Sequence, residues 1–301
     1  MADQFCRHHL DEIRQIAESH RTTLFSLSVL NFIFLPVATF GNTLAIQALR
    51  KTSLLPANMR KLFLSLALSD LGVGLFAHIM LAVVFNMAFT DNLHEPCRVI
   101  LIFWNVILHI LAGASFLNVI AIAVDRFLAV SLHLRYQELV TSKRVTVALI
   151  AIWLTSCSSG FVFFTTLNLS VPLALYSIGF LLTTVAYFRV YKVARYHQNR
   201  IHNQFQQQNS QATMLLRARK FALNALYIYV VFVACYLPNF CCLLFFVVTG
   251  NRRSQSILAA YYATFFFILL NSSLNPLIYC WRYQEVRQIM KSILKKIFLV
   301  P

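Results

Sequence analysis

The chain has 301 residues, of which 59% are hydrophobic, 14% aromatic and 12% charged, with a mean hydropathy of +0.67. A soluble domain carries about 25% charged residues, so this composition excludes an ordinary soluble enzyme, and seven Gly with seven Pro are too few for a fibrous chain. The net charge of +16, from 26 Lys and Arg against 10 Asp and Glu, is either a nucleic-acid footprint or a mark of membrane topology, and the positions of the charges separate the two.

Residues 1–23 are short and heavily charged, with no apolar core of the kind a cleavable signal peptide needs, and read as an outer N-terminus. Residues 24–280 hold seven apolar stretches, at about Leu24–Leu49, Leu62–Phe89, Val99–Val130, Val145–Leu167, Val171–Val190, Phe221–Thr249 and Ile257–Cys280. At about 20 residues per crossing, seven membrane helices with short links use nearly the whole chain. The exception among the links is the Gln-rich segment Arg195–Lys220, a solvated loop or a helix extension. An odd number of crossings puts the two ends on opposite sides. One side then carries six basic residues, Arg7, Arg14, Arg21, Arg98, Arg252 and Arg253, and the other the remaining 20. Lys and Arg collect on cytoplasmic loops, which places the C-terminus inside and the N-terminus outside. The charge is thereby accounted for, and no nucleic-acid partner is expected. Residues 281–301 continue the pattern differently. Val286, Ile289, Met290, Ile293, Leu294 and Ile297 recur at helical spacing with Arg287, Lys291, Lys295 and Lys296 off that stripe, as in a basic amphipathic helix on an anionic membrane surface. The expected fold is therefore all-α, a seven-transmembrane helix bundle with a short amphipathic cytoplasmic helix after the seventh crossing.

Polar groups inside the apolar stretches are costly and mark function by default. They are Asn42 in the first, Asp70 in the second, Ser115 in the third, and Asn271, Ser272 and Asn275 in the seventh, Asn271 and Asn275 one turn apart. One carboxylate with several hydroxyl and amide oxygens suits a small hard cation; a polar network that only holds helices together fits the spacing equally. Asp125-Arg126-Phe127 ends the third stretch, where the acid can pair with the guanidinium. Pro238, in Cys235-Tyr236-Leu237-Pro238, and Pro276, in Asn275-Pro276-Leu277-Ile278-Tyr279, each remove a backbone hydrogen bond and predict kinks. Of seven Cys none forms a C-x2-C pair, which leaves zinc unsupported; Cys6 and Cys97 are the two on the outer side, bridged or free.

These motifs, in order, resemble class A, rhodopsin-like G-protein-coupled receptors over nearly the whole chain. The resemblance is carried by Gly41-Asn42, Leu66-Ala67-Leu68-Ser69-Asp70, Asp125-Arg126-Phe127, Leu134-Arg135-Tyr136, Trp153, Tyr187 to Tyr191, Cys235 to Pro238 and Asn275 to Tyr279. It implies an outside ligand, a heterotrimeric G protein on the cytoplasmic side, membrane lipids as surroundings, a plasma-membrane location and no enzymatic activity. It also implies roles. Arg126 would meet the G protein, with Asp125 as its partner, and Tyr187 and Tyr279 would move inward to steady the released Arg126. Tyr236 stands at the family's toggle Trp, above Phe232 and Phe116, with Pro238, Asn275 and Pro276 at the hinges. Asp70, Ser115, Asn271, Ser272 and Asn275 match the family's allosteric sodium pocket; no other cofactor is implied.

The departures define a divergent member near the melanocortin, adenosine and amine receptors. Leu108 stands where amine receptors carry their acid, so a cationic amine has no partner. The short link between the fourth and fifth stretches holds no Cys, and Gly179 replaces the fifth helix's Pro. Ala218 replaces the residue that often pairs with the family's Arg, which predicts raised basal activity. Asn105, Leu108, His109, Asn239, Phe240, Tyr261, Tyr262 and Phe265 form the candidate ligand pocket, uncharged and suited to a neutral or lipid-like small molecule or a peptide, although His109 is equally readable as a hydrogen-bonded interior side chain. Asn168-Leu169-Ser170 is a sequon on the outer side. The competing class is a multi-pass transporter or channel, which would need a charged relay and internal repeats; only Asp70 lies deep.

Overall fold

The computed structural model describes residues 13–90, 96–132, 135–166, 170–203, 210–250 and 254–298, with the side chains of 85–102 and 193–225 outside the description. Cys6, the Cys97 side chain, the Ala218 side chain and the sequon at Asn168 therefore lie outside the described residues. A short helical segment at 13–19 precedes α1 (Arg21–Lys51), α2 (Ala57–Gly72), α3 (His78–Thr90), α4 (Pro96–Leu132), α5 (Tyr136–Leu139), α6 (Ser142–Thr166), α7 (Ser170–Asn203), α8 (Ser210–Thr249), α9 (Gln255–Arg282) and α10 (Gln284–Phe298). Among the described residues seven helices are long and apolar enough to cross a membrane: α1, α2 continuing into α3, α4, α6, α7, α8 and α9.

Each crossing extends a few residues past its apolar stretch, because Lys, Arg, Ser and Gln propagate a helix well enough once packing has nucleated it. The two ends of the Gln-rich segment are helix extensions, α7 running to Asn203 and α8 beginning at Ser210, with 204–209 outside the described residues. The second crossing holds a feature that hydropathy does not register, a π-helical turn at Val73–Ala77 between α2 and α3. Gly250, at φ +63, ends α8, and its N–H reaches Phe246 O at 3.0 Å, a left-handed cap that glycine adopts without steric cost.

The crossings pack around α4, which touches the second, fourth, fifth and sixth; α9 packs against the first, second and sixth. The fourth crossing is the least enclosed and the seventh the most. Large side chains on the outer faces, Phe25, Phe32, Val147, Leu154, Phe161 and Leu181 among them, are exposed, as befits surface that meets lipid. Polar bonds between the helices satisfy groups that a helix by itself leaves unpaired. Pro276 leaves the carbonyl of Ser272 without its helical donor, and Asn42 of α1 supplies one, its Nδ2 2.9 Å from Ser272 O. Trp153 Nε1 donates to Ser65 Oγ at 3.1 Å, and Asn239 Nδ2 donates to Thr264 Oγ1 at 2.8 Å.

The apolar stripe of α10 is turned onto the bundle. Val286, Met290 and Ile293 are buried with the core, against α1 and α9, while Ile297 is 52% exposed. Its first turn is clamped to the link between α1 and α2: the Glu285 carboxylate accepts from the Thr52 hydroxyl, the Ser53 hydroxyl at 3.1 Å, and the N–H groups of Ser53 and Leu54 at 3.0 Å each. The segment at 13–19 also joins the core through Ile13, Ile16 and Ala17, an i, i+3, i+4 stripe within a stretch whose charge had marked it as a solvated terminus.

Candidate functional site

Three constellations line the axis of the bundle. The deepest is centred on Asp70, with no exposed surface. Its Oδ1 accepts from Ser115 Oγ at 3.0 Å and Ser272 Oγ at 2.9 Å, and its Oδ2 accepts from Asn275 Nδ2 at 2.6 Å. Three crossings are thus tied to one carboxylate. Asn271 does not reach it. Both polar atoms of the Asn271 side chain, the Oδ1 of Asn275 and the Oδ1 of Asn42 are buried with no hydrogen-bond partner among the described residues. A buried amide oxygen without a donor is unfavourable by about 1–3 kcal/mol. A carboxylate, two hydroxyls and orphaned amide oxygens make a hard oxygen donor set that fits a small cation.

The second constellation closes the end of the bundle nearest α10. Arg126, 2% exposed, is ion-paired with Asp125, its Nε 3.0 Å from Asp125 Oδ2. The other carboxylate oxygen, Oδ1, accepts from the Tyr136 hydroxyl at 2.5 Å. Burial, and then the Asp125 charge, push the Tyr136 phenol well above its ordinary value, so it stays a donor at any physiological pH. α5, which carries Tyr136, is held to the second crossing by Asn58 Nδ2 donating to Val140 O at 2.7 Å. Tyr187 lies buried on α7, its ring stacked on Tyr229 of α8 at 4.6 Å, and the Tyr229 hydroxyl is 2.7 Å from Thr184 Oγ1. Tyr279, fully buried, packs on Phe63 at 5.2 Å, and its hydroxyl has no partner among the described residues. The Tyr279 hydroxyl makes no hydrogen bond to Arg126. Where Ala218 removes the expected acid, another link spans α8 and α9: the Arg282 guanidinium lies 4.1 Å from the Tyr227 ring centroid, and Tyr227 meets Trp281 edge-on at 5.0 Å.

The third constellation fills the opposite half. Tyr236 stacks on Phe232 at 4.6 Å, both rings meet Phe116, and the Tyr236 hydroxyl donates to Ala112 O at 3.2 Å. Tyr176 and Phe180 of α7 complete the ring cluster. Of the predicted pocket residues, Leu108, His109, Asn239, Tyr261 and Phe265 line one cavity, with Pro172 and Tyr176. Asn105, Phe240 and Tyr262 do not. Asn105 O accepts from His109 Nδ1 at 2.8 Å, Phe240 turns onto Phe180, and Tyr262 is 1% exposed within the packing. The cavity measures about 20 Å³, and a neighbour that shares His109 and Tyr176 about 30 Å³, room for roughly one water each. Helical spacing identifies which residues face inward but does not register how completely aromatic rings fill the space between them.

One polar pair escaped the sequence reading although it meets the same criterion. Asn31 and His78, each fully buried, exchange two bonds: Asn31 Nδ2 donates to His78 O, and Asn31 Oδ1 lies 2.6 Å from His78 Nδ1. They join α1 to the helix just beyond the π turn.

The profile of the 7 transmembrane receptor (rhodopsin family) matches residues 41–172 and 165–279. The chain belongs to the rhodopsin-like family of seven-transmembrane receptors and is a multi-pass membrane protein. It is similar to adenosine receptor A3 of Ovis aries, 25% identical over 285 residues, with 86% of each chain covered. Adenosine receptor A2b of Gallus gallus is 33% identical over 128 residues, 42% of this chain and 36% of the relative; that of Bos taurus is 35% identical over 120 residues, 40% and 34%. These two matches span about a third of the relatives' length. Of the three neighbouring receptor branches that the sequence suggested, the adenosine branch is the one these relatives represent. The family does not favour a transporter or channel.

Proposed function

We propose that the chain is a plasma-membrane receptor, N-terminus outside and C-terminus cytoplasmic, that converts binding of an extracellular ligand into activation of a heterotrimeric G protein. The observation that carries this reading is the Arg126 latch: a buried guanidinium at the basic end of the bundle, held by Asp125, which Tyr136 holds in turn. A ligand that binds better to the arrangement with Arg126 released shifts an existing equilibrium toward it. The Pro238 and Pro276 hinges and the Tyr187 and Tyr279 side chains are the groups that would move.

The ligand is a neutral or lipid-like small molecule or a peptide. Among the described residues the cavity lining carries no charged side chain and one imidazole, His109, and the relatives named above are receptors for adenosine, itself uncharged. With room for about one water, a ligand enters only as the aromatic packing around Tyr176 and Tyr261 opens. The Asp70 constellation would hold a sodium ion, with the carboxylate, Ser115, Ser272 and the side-chain oxygens of Asn271 and Asn275 as its donors; bound there, it would supply charge compensation that favours the latched state.

The test is expression of wild type and Arg126→Ala with a panel of G-protein activation sensors, challenged with adenosine and a library of neutral and lipid-like ligands. Activation of at least one G-protein class by the wild type, abolished in Arg126→Ala at equal surface expression, is expected. Ligand binding without activation of any G protein by the wild type would overturn the coupling reading.

A further inference from the structure

A cavity far larger than the two beside His109 lies off the bundle axis. It is a groove of about 540 Å³ between α4 and α6, bounded by α5 and the following turn. It runs from Leu117 to Leu128 along α4 and from Arg144 to Thr155 along α6, about 16 Å on each helix at 1.5 Å per residue. Its lining is mostly small or aliphatic, with Ala121, Ala148 and Ala151 among it. It opens on the outer face of the fourth crossing, the least enclosed of the seven, where a membrane protein meets lipid rather than water.

Among the described residues two charged side chains line the groove, Asp125, which is buried, and Arg144, which is exposed at the start of α6. Asp125 is spent: one carboxylate oxygen is in the ion pair with Arg126 and the other accepts from Tyr136. Arg144 is not. Its Nη1 donates to the carbonyl of Leu139 at 2.6 Å, a neutral acceptor that fixes the side chain and leaves its charge without a counter-charge among the described residues. An apolar groove that ends in one fixed guanidinium at the start of α6 is complementary to a lipid with an anionic headgroup, since guanidinium forks pair with phosphate and carboxylate oxygens. We propose that this groove binds one acyl chain of an anionic phospholipid, with the headgroup on Arg144. The site is separate from the Asp70 cluster and the outer cavity, and it does not depend on what the receptor senses.

The full chain in nanodiscs of phosphatidylcholine is labelled with a photoreactive acyl analogue of phosphatidylserine or of phosphatidylcholine, and the cross-linked peptides are mapped. Peptides that carry Val124 and Ala148 should take up the phosphatidylserine probe about five-fold more than the phosphatidylcholine probe, the factor that roughly one surface cation contributes. Arg144→Gln should abolish that preference while leaving labelling by both probes. Ala148→Phe, at an exposed position that folding tolerates, should lower labelling by both at the groove and leave labelling elsewhere on the bundle unchanged. Equal labelling by the two probes in the wild type, labelling insensitive to both substitutions, or displacement by cholesterol and not by unlabelled phosphatidylserine would each overturn the proposal.

Discussion

Gly179 is pressed against Phe116: a Cβ built on it would stand 2.2 Å from the ring's Cε1 and 2.4 Å from Cζ. The ring cannot swing aside, because Phe232, Tyr236, Tyr176 and Phe180 surround it. Gly179→Ala should therefore destabilise the bundle by about 1–3 kcal/mol, the usual range for overpacking, seen as a lower Tm in detergent. Adding Phe116→Leu should recover part of the loss. An additive double mutant would show that the two residues do not share this strain.

The Tyr136 bond to Asp125 is the part of the latch that can be removed without touching Arg126. A hydrogen bond to a charged group contributes about 1.5–3 kcal/mol. Tyr136→Phe should raise basal G-protein activation, by at most about ten-fold per 1.4 kcal/mol, with surface expression unchanged. Basal signalling equal to wild type would show that the ion pair holds on its own.

The Arg282–Tyr227 contact stands between α8 and α9 where the chain lacks an acid at Ala218. Cation–π contacts at exposed sites contribute about 0.5–1 kcal/mol, less than a buried ion pair, so basal activity should be measurable without ligand. Tyr227→Leu should raise it further, and Ala218→Glu should lower it. Second-messenger levels that match untransfected cells in all three would refute both statements.

For the Asp70 cluster, thermal unfolding in NaCl is compared with unfolding in choline chloride at equal ionic strength. Sodium should raise the Tm of the wild type through binding linkage, and Asp70→Asn should remove the response. A wild-type Tm indifferent to the cation would leave the cluster as a helix-joining network.

Glu285 gives a pH-dependent test at the surface. Partial burial pushes its carboxyl up, but the hydrogen bonds from Thr52, Ser53 and Leu54 outweigh this and hold it below its ordinary 4.5. A carboxyl lowered in the folded state contributes its stabilisation fully above 4.5, and the contribution is lost as pH falls through the lowered value. Amide exchange at Ser53 and Leu54, corrected for intrinsic rates, should therefore quicken only below about pH 4.5. Glu285→Ala should quicken it at neutral pH.

The sequence made the latch and the Asp70 cluster readable for the same physical reason: polar groups in apolar stretches are costly, and the few retained stand out. Asn31 and His78 satisfy that criterion and were still missed, because they match no motif and become meaningful only when the first and second crossings are set side by side. The π turn at Val73–Ala77 has no hydropathy signature, since one extra residue in a helical turn leaves the apolar run intact. Asn105, Phe240 and Tyr262 do not line the cavity beside His109, because spacing assigns a face and not a depth. The burial of the α10 stripe against the bundle is likewise a matter of docking, which an amphipathic pattern leaves open between protein and lipid.

The nearly filled cavity beside His109 bears on affinity as well as on shape. If the opened arrangement were populated at about 1% in the absence of ligand, every ligand would bind about 100-fold more weakly than its contacts alone provide, because apparent affinity scales with the competent fraction. Trimming a ring that packs behind the lining, Phe246 against Tyr261 for instance, would then strengthen binding of unrelated ligands by a common factor. Such a shared gain would measure the closed population directly.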